Sequence, residues 1–337
     1  MRRAHLSASV LLAASLLLAG CGGGDSSSSG DDTPASQQIA GGSTLDSTWP
    51  LTGLEVSGDE SASTSHPVLV AKMDNTYSSA PQLGLSHADM VVEELVEGGL
   101  TRLAAFYYSD IPGTVGPVRS MRASDIGIVS PVKADVVTSG AAARTIARIK
   151  GAGITFFGEG SHGFARDNSR SAPYNLFANL TDVASTIKQD DARPDDYLPW
   201  GDEKDFPKGQ PATSIAATFS GGHTTNWVYQ GGGYVNQNTY AAKGDEFPAD
   251  TVLVLRVEVG DAGYLDPAGN PVPETKFTGK GEAMIFHGGH LVRGTWTKKD
   301  LGSPLELSTR AGKLTVPAGH TWIELVPAKT GDVTFKK

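Results

Sequence analysis

A stretch crowded with proline and acid, DARPDDYLPWGDEKDFPKGQP (residues 191–211), divides the chain into two parts of different hydrophobic texture. Proline lacks a backbone N–H and clashes with the preceding turn, so no long helix or central strand can run through this stretch. Upstream, PVLVAKM (67–73) is a compact apolar run suited to a buried strand. VVEELVEG (91–98) and RLAAFYYS (102–109) read as two more, joined across Gly98-Gly99. MRASDIGIVSPVKA (121–134) holds a short helix limited by Pro131, DVVTSG (135–140) a strand, and AAARTIARIK (141–150) an amphipathic helix. GAGITFFGEG (151–160) follows as a strand, and LTDVASTIKQDDA (180–192) as a helix with Thr181 as its N-cap. Downstream, SIAATFSG, TNWVYQ, TVLVLRVEVG, EAMIFHGGHLVRGTWTK, LELSTR, GKLTVP and HTWIELVP are short, β-rich and punctuated by turns. The expected architecture is α+β: a mixed α/β domain over 49–195, a linker over 196–210 and a β-rich, sandwich- or barrel-like domain over 211–337.

The first residues read as an address. Arg2 and Arg3 precede an apolar run from Leu6 to Ala19 that ends in LAGC, with Cys21 its last residue. The run is short for a bilayer span but suits a signal-peptide core over residues 1–20. LAGC resembles a bacterial lipobox, in which the thiol is diacylated and the chain cut before the cysteine; the bland alternative is an ordinary secretory signal with a chance cysteine. Two acyl chains suffice for stable anchoring. Residues 21–48 then form a Gly/Ser/Asp-rich tether spanning about 28 Å root-mean-square. The expected location is the outer face of the bacterial cytoplasmic membrane or the periplasmic membrane surface, and the expected membrane partner is lipid alone.

Composition narrows the rest. One cysteine in 337 residues excludes a disulfide scaffold and any multi-cysteine metal site. The formal charge of −9 becomes −11 once Arg2 and Arg3 are removed (26 bases against 37 acids), which argues against nucleic acid as a partner. No cofactor motif is present; there is no Walker loop, GxSxG elbow or HExxH. His287 and His290 flank a Gly pair, but no third ligand is placed by spacing, so no metal is expected.

The most informative charged residues lie between Asp74 and Asn175. In EELVEGGLTR, Glu93, Leu95 and Glu97 share one face of a strand and Glu94 the other. Glu93 and Glu97 would stand about 13 Å apart, too far to share a proton. Buried acids need partners, and Arg102, Arg119, Arg122, Arg166 and Arg170 are available. GTVGPVRSMRASD places Arg119, Ser120 and Arg122 near the start of a helix, where anions bind readily. FARDNSRSAPYN puts Arg166, Arg170 and Asn175 in a polar loop. Asp74 and Asn75 directly follow a strand, a common location for site residues, though they equally serve as a turn cap. These residues read either as a ligand pocket or as an internal ion-pair network that fixes the fold.

WPLTG, the strand ending in MDN, PQLGLSHADMVVEELVEGGLTR, VGPVRSMR, the Arg166–Asn175 run RDNSRSAPYN, GTW and TWIELVP together resemble the YerB-like bacterial lipoproteins, a family of two domains of unknown function. The resemblance implies lipoprotein location and a two-domain build, with no established reaction. Its pattern falls on Glu93, Glu97, Thr101, Arg102, Gly116, Pro117, Arg119, Ser120, Arg122, Arg166, Arg170, Pro173 and Asn175. Where relatives carry His before the Asn this chain has Tyr174, a poor base at neutral pH.

The leading expectation is a binding or scaffolding lipoprotein that holds an anionic envelope ligand, from the cell wall or a small molecule, at Asp74, Asn75, Arg102, Arg119, Ser120, Arg122, Arg166, Arg170 and Asn175. The competing one is a wall-directed hydrolase or transferase with Glu93 or Glu97 as general acid/base. An enzyme requires one glutamate in an open cleft with a raised pKa; a binder locks both to arginines.

Overall fold

A computed structural model describes residues 47–57 and 61–337, so the leader, Cys21 and most of the tether lie outside the described residues. Strands outnumber helices throughout, and the backbone of the fold is one mixed 13-stranded sheet. Its central path runs Gly312–Lys313, Glu306–Thr309, His290–Lys298, Gly279–His287, Thr251–Leu265, Thr321–Pro327, Met90–Leu95, Thr101–Tyr107, Leu69–Asp74, Asp135–Val137 and Phe156–Phe157. The Met90–Leu95 and Thr321–Pro327 strands pair in parallel, Met90 beside Thr321 through Glu94 beside Leu325. The sheet therefore continues from one side of the proline-rich stretch to the other, and the described residues fall within one compact unit.

Period-two alternation gives the sheet two apolar faces. On one, Val70, Val92, Ala104, Phe106, Leu253, Ile285 and Ile323 pack under the short Asp125–Val129 helix and under Ile149 of the Ala143–Gly151 helix. On the other, Leu69, Ala71, Val91, Leu103, Val252, Phe286 and Trp322 pack against a second, four-stranded sheet through Ile215, Ala217, Phe219 and Trp227. That sheet has the order Gly233–Asn236, His223–Gln230, Ser214–Ser220, Asp332–Lys336. Stacked sheets thus form much of the β-rich half.

Three local expectations need correction. The 196–210 stretch is packed into the structure: Tyr197 and Leu198 are buried, and the Tyr197 hydroxyl donates to the Ile128 carbonyl at 3.0 Å. Trp200–Gly201 pairs with Val316–Pro317, and Gln210–Pro211 with His290 and Leu291. The helix at Leu180–Ser185 is capped by Asn179, whose side chain accepts from the Asp182 N–H, so Thr181 lies two residues inside the cap. Finally, the Met90–Leu95 strand stops before Glu97, which opens a 3-10 turn with Gly98 and Gly99, both at positive φ where glycine is favoured.

The Thr251–Leu265 strand runs 15 residues and, with Pro271–Lys276, forms a long hairpin. It is latched to the Ala143–Gly151 helix. Arg144 donates to the Gly263 carbonyl at 2.8 Å, the Thr145 and Tyr264 hydroxyls meet at 2.8 Å, and Arg148 grips Glu274 with two nitrogens at 2.9 and 2.7 Å.

Candidate anion-binding cleft

The latched hairpin closes one wall of a cleft of about 530 Å³. Its lining includes Glu97, Ser120, Arg122 and Ser139 from the first half of the chain and Tyr264, Leu265, Pro267 and Val272 from the hairpin. Arg122 is 7% exposed. Its Nε donates to Glu97 Oε2 at 2.9 Å, and its Nη2 closes a second, short contact with Glu97 Oε1. Nη1 donates to the Ser120 and Met121 carbonyls at 3.3 and 2.9 Å. Arg102 lies behind, with Nη1 on the Ser120 carbonyl at 2.7 Å and Nη2 3.4 Å from Glu97 Oε1. Burial alone would raise the Glu97 carboxyl, but the hydrogen bonds and charge of Arg122, with Arg102 adding to them, hold it below the usual carboxylate range. Burial and the neighbouring Arg122 push Arg102 down to about 10.

Beside the cleft, Arg119 Nε donates to Asp74 Oδ2 at 2.9 Å, and its guanidinium lies 5.2 Å from the Tyr174 ring centre. Arg102 feels Arg119 and Asp74 as well as Arg122 and Glu97, so these five groups form one charge cluster. The expected convergence of five arginines and two glutamates on a single recess is not what forms. Arg166 is bidentate to Glu159 and donates to Asn175 Oδ1 at 2.6 Å, in the hairpin of Phe164–Arg166 and Leu176–Ala178. Arg170 pairs with Asp167 and donates to the Ser79 and Pro81 carbonyls. Arg166 is thus taken up by acceptors near it in sequence, and Arg170 by Asp167 together with carbonyls of the distant 79–81 segment.

Glu93 is wholly buried on the opposite face of the sheet from the arginines. It accepts from Asn75 Nδ2 at 3.0 Å and Thr225 Oγ1 at 2.9 Å, with His223 Nε2 at 2.7 Å. Asn75 also donates to Thr101 at 2.9 Å, so its role is to hold this network. Burial would raise Glu93, but His223 keeps it below the carboxylate norm.

Several charged residues escaped sequence reading. Lys72, wholly buried, bridges Glu94 Oε1 at 2.9 Å and Asp125 Oδ1 at 2.7 Å, and Asp125 Oδ2 accepts from the Arg122 backbone N–H at 2.6 Å. Burial, reinforced by the nearby Asp125, pushes Glu94 up to about 7 despite Lys72. His223, Thr225 and Glu324 complete the Glu93 side. The available signal was a lone charge inside an apolar strand, as in VLVAKM and TWIELVP, because such a charge demands a buried partner.

At the other candidate positions, His287 Nδ1 meets the Thr251 hydroxyl at 2.9 Å and His290 Nδ1 the Gly288 carbonyl at 2.9 Å. Among the described residues no group of three or more His, Cys, Asp or Glu is arranged to hold a metal ion, and no helix is long and apolar enough to cross a membrane.

A sheet shared by both halves, with a charged cleft where the second half's hairpin meets the first, defines the class. The chain belongs to a family of proteins of unknown function: residues 51–193 match the DUF3048 N-terminal domain and residues 215–323 the DUF3048 C-terminal domain. Its YerB-like character, read from EELVEGGLTR and its companions, rests on named relatives. "Putative lipoprotein YerB" of Bacillus subtilis (strain 168) is 47% identical over 73 residues, which is 22% of this chain and 21% of that protein. The aligned region thus spans about a fifth of that relative's length. The crystal structure of YerB from Bacillus subtilis superposes with a TM-score of 0.70 at 20% identity, covering 85% of this chain and 99% of that one. At that identity the likeness shows the fold.

Proposed function

We propose that this chain is a lipoprotein of the bacterial cell envelope, anchored through Cys21 and holding an anionic envelope ligand in the cleft at Arg122. The anchor reading draws on the LAGC motif and on the name of the YerB relative. In this reading residues 49–195 act as a mixed α/β domain and 211–337 as a β-rich one, joined through their common sheet. The observation that carries the binding role is a buried guanidinium on the wall of a 530 Å³ cleft, beside the hydroxyl-bearing Ser120 and Ser139. Guanidinium groups fixed in a partly dry recess recognise carboxylate and phosphate by paired N–H donors.

Acid–base catalysis is less well supported. Glu97 faces the cleft but is held ionised by two arginines, and Glu93 is out of reach of any substrate. Neither combines access with the raised pKa that a general acid needs. The test is a thermal-shift series on the full-length protein in detergent with muropeptides, teichoic fragments, phospholipid headgroups and inorganic phosphate. A ligand at a hundred times its Kd adds about 2.7 kcal/mol, a rise of a few degrees for a protein this large. The shift should vanish in Arg122→Met; a panel that leaves the wild-type melting temperature unmoved contradicts the reading.

A further inference from the structure

We propose that Glu97 is the cleft's own stand-in for the ligand, and that the ligand's carboxylate or phosphate binds by displacing the Glu97 carboxylate from Arg122. This rests on the cleft being an anion site, and it adds the ligand's chemistry and the event that admits it.

The first support is the fork itself. Glu97 takes Nε and Nη2 of Arg122 with its two oxygens, the paired geometry by which an external carboxylate or phosphate is recognised. The guanidinium does not depend on Glu97 for its orientation. Nη1 is fixed by the Ser120 and Met121 carbonyls, and the Arg122 backbone N–H by Asp125. Removing Glu97 would leave the edge that it covers aimed at the same place.

The second support is how Glu97 is mounted. Glu93 and Glu94 sit mid-strand with no exposure, whereas Glu97 begins a turn and keeps 14% of its side chain exposed. Gly98 and Gly99 follow at φ 72° and 74°, and a Cβ at Gly98 would meet nothing within 4 Å. Gly99 is held by the Ser220 hydroxyl, which donates to its carbonyl at 2.5 Å, so the freedom lies at Gly98, next to Glu97, where glycine lets the leading side chain swing to solvent at low backbone cost.

The third support is the rest of the wall. Ala141, Ala142, Leu265, Pro267 and Val272 give it apolar patches between the hydroxyls of Ser120, Ser139 and Tyr264, and Leu265 is 62% exposed. The one other acid there, Asp266, is turned into its own loop, accepting from the Asn270 backbone and side-chain amides at 2.7 and 3.0 Å. The fitting ligand is therefore a compact oxyanion at the end of an uncharged body with both apolar and hydroxyl-bonding parts. Exchange of one anion for another keeps Arg102 and Arg122 compensated, so the swap avoids leaving buried cations unpaired.

The experiment titrates inorganic phosphate and, separately, sodium acetate into full-length wild type, Glu97→Gln and Arg122→Met at matched ionic strength in chloride. If Glu97 holds the fork about nine-tenths of the time, vacating it tightens apparent binding about tenfold. The expected result is Glu97→Gln binding at least one probe about tenfold tighter than wild type and Arg122→Met binding neither; the favoured probe identifies the oxyanion. Should Glu97→Gln fail to fold in chloride, it is expected to fold in phosphate or acetate. Binding by Glu97→Gln no tighter than wild type, or a variant that folds in none of the salts, overturns the displacement and leaves the cleft as a site. Indifference of wild type and Glu97→Gln to both probes overturns the binding reading together with it.

Discussion

Glu93 and Glu324 stand side by side on neighbouring parallel strands, both wholly buried, and they share their environment unequally. His223 keeps Glu93 ionised, while burial and the Glu93 charge raise Glu324 well above the carboxylate norm. Two like charges at that spacing in a dry interior do not both ionise. Of the two, Glu324 is the one that holds a proton more readily, and it accepts from Trp227 Nε1 at 2.8 Å.

The asymmetry predicts unequal costs. Glu324→Gln keeps the shape and removes a carboxyl whose charged form burial and Glu93 disfavour, so it should change stability by about 1 kcal/mol or less, the scale of one neutral hydrogen bond. Glu93→Gln leaves His223 without its counter-charge in a buried network and should cost about 3 kcal/mol or more. Denaturant unfolding at pH 7 measures both; equal costs would contradict the assignment.

His223 provides a pH signature. Burial works to lower its pKa, but the Glu93 hydrogen bond and charge outweigh this and raise it above 6.5. A group whose pKa is raised on folding contributes stability fully below its unfolded value and loses it as pH climbs through the folded one. The stability difference between wild type and His223→Gln should therefore be largest below about pH 6.5 and shrink as pH rises. A difference that grows with pH would contradict the pairing.

Lys72 bears directly on the cleft, because Asp125 links it to the Arg122 backbone. Lys72→Met strands two buried carboxylates and should destabilise by about 3–5 kcal/mol. Adding Glu94→Gln should recover part of that loss, since Glu94 is already pushed up to about 7 and neutralises readily. Urea melts of the single and double variants decide it; a single variant as stable as wild type would mean the triad is not closed in solution.

At the other end of the chain, Cys21→Ser removes the proposed site of acylation. The protein should move from the membrane fraction to the soluble one, and continued membrane association would contradict the lipid anchor.

Much of the secondary structure was legible because it obeys simple periods. PVLVAKM, VVEELVEG and TVLVLRVEVG are strands because alternate residues must meet two apolar layers, and the same rule put Glu94 on the face opposite Glu93. Long-range pairing was not legible. Nothing local in VVEELV or TWIELVP specifies that they lie side by side, yet that contact joins the two halves and creates the Glu93–Glu324 pair. The candidate cluster was half visible: Arg102, Ser120, Arg122 and Glu97 do gather, whereas Arg166 is taken up by Glu159 and Arg170 by Asp167 and the Ser79 and Pro81 carbonyls. Glu97 was misplaced because strand period was carried past Leu95 into a turn that Gly98 and Gly99 govern.

The most direct test of the anion cleft follows the side-chain Nε–H resonance of Arg122 in the ¹⁵N-labelled protein during a phosphate titration. The account predicts a saturable shift at Arg122, accompanied by Ser120 and Ser139 and absent at Arg166. Phosphate that binds while Arg122 stays unmoved would contradict it.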